Sequence, residues 1–134
     1  MHVRLLRILL IFAGITWGIS IVGVFASWGQ AMQLLQGLGA GSITYDPMLD
    51  YWLRMAAGAF TMIGALFFLA AIWIRRFSSI IPWLGGLMVF EGLILLAHGL
   101  RLSLPVFPFY GDVAACVVGG GAIMVLARFA NKAL

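Results

Sequence analysis

Charge is scarce in this chain: only 9% of its 134 residues are Asp, Glu, Lys or Arg, against roughly a quarter in soluble globular domains. Cysteine is rarer still. The lone Cys116 excludes an internal disulfide and any cysteine cluster for zinc or iron–sulfur binding, and inside an apolar segment an inert packing role is expected of it. No His/Cys/Asp/Glu spacing resembles a zinc or iron site, and there is no Ser-His-Asp set, phosphate loop or pair of carboxylates. A bis-histidine haem needs a second histidine within the membrane, and His2 lies at the chain's start, so His98 alone does not support one. These absences point away from an enzyme, a metal and a cofactor. The eight basic residues give a net charge of +4 but are scattered at the ends of apolar segments, with no aromatic-laced patch, so nucleic acid is not expected as a partner.

Apolar residues are what the chain has in excess: 64% of it, with a mean hydropathy of +1.14. Spans of roughly 20 residues are needed to cross a bilayer, and four of them consume most of the length. The expectation is an all-α, four-helix transmembrane bundle forming a single membrane domain over 1–134, with helices at about 5–27, 51–74, 80–100 and 113–129. The start through Ala26-Ser27 also has the pattern of a secretory signal peptide, with Val24-Phe25-Ala26 as its cleavage site; an uncleaved first helix is the reading adopted. Gly14 and Gly18 have the GxxxG spacing that allows close helix approach.

Between the first two spans, residues 28–49 are polar-leaning, and Ala31 to Leu38 reads as a short amphipathic helix at the interface. The second span ends in Arg75-Arg76, after which Phe77-Ser78-Ser79 is expected to make a tight turn into the third span, whose first turn holds Pro82. Arg101 to Asp112 carries Pro105 and Pro108 and is expected to be loop; Gly119-Gly120-Gly121 is expected to interrupt the fourth span.

Arg4, Arg7, Arg75, Arg76, Arg128 and Lys132 all fall on one side of such a bundle, and only Arg54 and Arg101 on the other. Six against two predicts both termini in the cytoplasm of a bacterial inner membrane. Trp28, Tyr45, Tyr51, Trp52 and Tyr110 then sit near the outer boundary and Trp73 and Trp83 near the inner one, where amphipathic rings are enriched.

Glu91 is the only carboxylate within a strongly apolar segment. His98 and Arg101 follow it at seven and three residues, so all three fall along one helix face, rising about 10 Å and then about 5 Å. At the depth of Glu91 the other spans offer Thr16, Gly18, Ser20, Thr61, Gly64 and the triple glycine. A charge there costs several kcal/mol. The acid is therefore expected either to hold its proton and bond Thr61 or Ser20, or to face a small cavity reached by a cation or water. Arg54 falls at the depth of His98. Its bland explanation is a pair with Asp50 four residues earlier, with Arg101 and Asp112 clamping the proline loop likewise. The sharper one is a ligand site in which Arg54, His98 and Arg101 rim Glu91 and take an anionic lipid head, a quinone or another amphiphile.

The run Asp50-Tyr51-Trp52-Leu53-Arg54-Met55-Ala56-Ala57-Gly58, the glycine-rich second span and the stretch from Arg101-Leu102 through Phe109-Tyr110-Gly111-Asp112 resemble those of small four-helix bacterial membrane proteins. More loosely, the chain resembles the DoxX-like group. The resemblance implies a four-helix bundle and carries over no catalytic residue. The expected function is that of a non-catalytic accessory subunit or a lipid- or amphiphile-binding protein, with Gly14, Gly18, Gly58 and Gly64 allowing a second copy or another membrane subunit to pack closely. The alternative is a minimal proton-coupled transporter that exchanges protons at Glu91; small multidrug transporters are the analogy, although they place the acid on the first helix.

Overall fold

The computed structural model describes residues 1–131, so Lys132, counted above for orientation, lies outside the described residues. The described chain is all helical: α1 His2–Gly18, α2 Ile21–Phe25, α3 Trp28–Gly37, α4 Pro47–Ile72, α5 Ile81–Arg101 and α6 Val106–Asn131. Four runs, His2–Phe25, Pro47–Ile72, Ile81–Arg101 and Val106–Ala130, are long and apolar enough to cross a membrane. The chain is a multi-pass integral membrane protein with the expected number of spans and the expected short helix between the first two.

Local chemistry sets the ends. Ser27 accepts from the Gln30 amide at 3.3 Å while the Gln30 side chain accepts from the Ser27 amide at 2.8 Å, a capping box that starts α3. The same helix ends at Gly37, and just beyond it Gly39, at a φ of 100°, turns the chain so that Gly39 and Ala40 donate back to the Gln36 and Leu35 carbonyls. Asp46 accepts from the amides of Met48 at 2.7 Å and Leu49 at 3.0 Å, and Pro47 follows it at the first helical position. This cap starts α4 four residues before the expected Tyr51. The fourth span differs more. It is helical from Val106, with Phe107 extended at φ −108° and ψ 135° and a cis bond to Pro108, so the supposed loop is largely helix. Pro108 stands where helix resumes, and a first-turn position needs no amide proton. The triple glycine does not interrupt α6.

The chain packs as two units. One comprises Met1–Ala13 with the chain from Phe67 onward; the other is Gly14–Leu66. In the first, Leu6, Leu10, Ala70, Ile81, Ile123 and Ala127 are buried, and α5 lies against α6. Small residues make that approach possible. A methyl on Gly85 would stand 2.7 Å from the Gly120 carbonyl, one on Gly92 2.9 Å from Cys116 Cβ, and one on Gly99 would run into the Phe109 ring. Spaced by seven, these glycines repeat along nearly one face of α5, so a continuous seam forms. In the second unit Gly64 faces the Gly14-Gly18 pair, its added methyl falling 2.6 Å from Gly18 Cα and 2.8 Å from the Gly14 carbonyl. Cα–H groups and backbone thus replace side chains at the contact, as GxxxG packing requires.

Candidate functional site

Glu91 and His98 each precede a seam glycine by one residue, so they lie about 100° round the helix from it. The polar stripe therefore runs beside the α5–α6 contact rather than within it. Glu91 is half-buried: Leu84 and Met88 on its inner side are buried, while Leu87, Phe90 and Ile94 on its outer side are exposed. Among the described residues of its own unit the carboxyl group has no hydrogen-bond or ion-pair partner. His98 and Arg101 are exposed, and Arg101 closes the helix, where a cation interacts favourably with the macrodipole. Glu91, His98 and Arg101 thus share a single element and a single side of it.

Arg54 belongs to the other unit and is engaged there. Its Nε and Nη2 donate to Asp50 Oδ1 at 3.1 and 2.9 Å, forming the local pair that the four-residue spacing anticipated. Its Nη1 donates to the carbonyls of Gly23 and Val24, each at 3.2 Å, and to that of Ala26. These are carbonyls of the last turn of α2 and of its C-cap residue Ala26, which no helix can satisfy from within. Arg54 is therefore a C-terminal cap for the first span, held in place by Asp50. Thr61 likewise spends its hydroxyl locally, donating to the Ala57 carbonyl at 2.8 Å. The expected clamp between Arg101 and Asp112 is not formed; both are exposed, and Asp50–Arg54 is the one ion pair among the described residues. Cys116 is buried against Gly92, a packing position. No group of three or more His, Cys, Asp or Glu comes together among the described residues in a way that would hold a metal.

Open grooves mark the surface of each unit. One of about 520 Å³ lies between α2 and α3, lined by Val22, Phe25, Ala26, Gln30, Gln33 and Leu34. Another, of about 360 Å³, is lined by Arg7, Ile11, Phe68, Ala71 and Ile72. There Arg7 Nε donates to the Ala71 carbonyl at 3.1 Å, in the last turn of α4. Sequence reasoning used Arg7 only as an orientation charge. The signal for more was its position one turn inside an apolar run, where a guanidinium needs a local acceptor.

No family model, no curated protein and no solved structure matches this chain. The likeness to DoxX-like proteins accordingly rests on the residues quoted for it.

Proposed function

We propose that this chain is a non-catalytic protein of a bacterial inner membrane, with both termini cytoplasmic, that offers the α5 stripe of Glu91, His98 and Arg101 to an amphiphile. Glu91 carries the reading: it is half-buried in an apolar span with no partner among the described residues of its unit. An ionisable group in that position is costly, and intramembrane acids of this kind typically mark binding or transport sites. His98 and Arg101 extend the stripe to the span's end, so an amphiphile could place its polar head against the cations and a donor against the carboxyl group. Arg54, spent on Asp50 and the α2 carbonyls, contributes architecture instead of a rim. An accessory role toward another membrane subunit uses the same stripe, with a partner helix in the amphiphile's place.

A photo-crosslinking residue at Ile94, one turn from both Glu91 and His98, tests this in liposomes made from total bacterial lipid. A discrete adduct, absent when Glu91→Leu is added, is the expected result. Adducts that follow bulk phospholipid abundance in both proteins would overturn the reading. The same unpaired acid supports the second reading, proton-coupled transport at Glu91. Under that reading, proteoliposomes with an imposed pH gradient take up a lipophilic cation such as ethidium, and Glu91→Gln folds normally yet abolishes the uptake.

A further inference from the structure

Five arginines gather at one end of the first unit. The Arg7–Ala71 bond brings the start of α1 to the end of α4, and the stacking of His2 on Phe129 at 5.4 Å brings it to the end of α6, beside Arg128. Arg4, Arg7, Arg75, Arg76 and Arg128 are all exposed, and none forms an ion pair among the described residues. Each of the four acids, Asp46, Asp50, Glu91 and Asp112, stands at least 15 residues in sequence from these arginines, Asp112 near the opposite end of α6 from Arg128. Among the described residues this end is therefore cationic throughout, and the Arg7 groove opens within it. The groove is graded. Arg7 supplies its polar end, while Ile11 one turn further along α1 and Phe68 one turn before Ile72 on α4 supply apolar walls inside the spans. Arg7 uses Nε on the Ala71 carbonyl, which orients the guanidinium and leaves the paired N–H groups of its outer nitrogens for another acceptor.

From this we infer that the Arg7 groove is a binding site for one anionic phospholipid, its phosphate on the Arg7 fork and an acyl chain along Ile11, Phe68 and Ile72. Guanidinium geometry suits phosphate in particular, and a zwitterionic lipid brings a cation into a collar that already repels it. The site is separate from the α5 stripe and stands whether or not that stripe binds anything.

Native mass spectrometry of the full chain, released from nanodiscs holding equal phosphatidylglycerol and phosphatidylcholine, counts the retained lipids. One phosphatidylglycerol per chain is expected, with phosphatidylcholine lost. Arg7→Gln should lower that retention about tenfold, the scale set by a charge-assisted hydrogen bond. Arg76→Gln removes the same charge from the same end without touching the groove and should leave retention nearly unchanged. Equal losses in the two variants would mean diffuse attraction and overturn the site. Ile72→Trp fills the groove while keeping every arginine, on an exposed position that tolerates bulk. It should release the lipid with folding intact, and retention there would equally overturn the proposal. Millimolar glycerol phosphate should fail to displace the lipid; displacement would show a free-phosphate site with no role for the acyl chain.

Discussion

Gly120 and Gly121 are chain neighbours with opposite obligations. A methyl on Gly120 would lie 2.6 Å from the Gly85 carbonyl and 2.8 Å from Met88 Cβ, both on the facing helix, whereas one on Gly121 meets nothing within 4 Å. Backbone on a packed helix does not yield as the end of a side chain does. Gly120→Ala is expected to cost about 1–3 kcal/mol by forcing α5 and α6 apart. Gly121→Ala should be neutral or stabilise by up to about 1 kcal/mol, the difference in helix propensity between the two residues. Thermal unfolding in detergent measures both, and similar losses in the two variants would mean that α6 is rotated from the face described. Gly64, closed against Gly14 and Gly18, differs in the same way from Gly58, where an added methyl meets nothing within 4 Å.

At the end of α2, Arg54 serves three carbonyls and one carboxylate, and the two sets differ in worth. The pair with Asp50 is about a quarter exposed on each side and local in sequence, so alone it contributes under about 1 kcal/mol. The carbonyls have no other donor within reach of so short a helix. Arg54→Gln should therefore cost about 1–3 kcal/mol and Asp50→Asn distinctly less, in the same detergent melts; the reverse order would make the ion pair the principal bond. The end of α5 carries a different strain. Ser103 sits at φ 52°, where it donates to the Leu100 carbonyl at 3.2 Å while Leu104 donates to that of Gly99 at 3.1 Å. That position is usually glycine, because a Cβ is crowded there. Ser103→Gly is expected to raise the midpoint of unfolding, by up to about 1 kcal/mol in stability. What the sequence made legible at this scale follows from the same details. Apolar runs located the spans, and Asp50 before Arg54 revealed the pair, since both signals are local. The α6 start at Val106 was hidden by prolines that usually break helices, and the carbonyls Arg54 reaches lie some 30 residues away in sequence. The seven-residue glycine repeat on α5 was readable in principle. It was masked by the abundance of glycine, 17 residues in all, which makes most spacings uninformative.

For the whole molecule, orientation is the property on which both proposed sites depend. Arginines at the start of α1, after α4 and near the end of α6 outnumber those at the start of α4 and the end of α5, and flanking Lys and Arg are preferentially held in the cytoplasm. Under the proposed orientation the Arg7 groove meets the cytoplasmic leaflet and Arg101, at the other end of the same unit, the opposite one. A reporter active only outside the cytoplasm reads this directly, provided that it is joined where no helix is cut. The segment after Gly41 is non-helical and precedes the Asp46 cap; Leu104 falls between α5 and α6; Ser79 lies in the turns between α4 and α5. Fusions after Gly41 and Leu104 should be active and a fusion after Ser79 silent. The opposite pattern would invert the chain and move the cationic collar outside, where the proposed headgroup site would meet the other leaflet. Activity at all three positions would mean that both orientations coexist, the arrangement an antiparallel transporter dimer requires. The uneven division of the arginines opposes that outcome, so it has to be provoked by removing charge: Arg4→Gln and Arg7→Gln together cut six against two to four against two, and should weaken the bias and raise activity at Ser79 above its silent baseline.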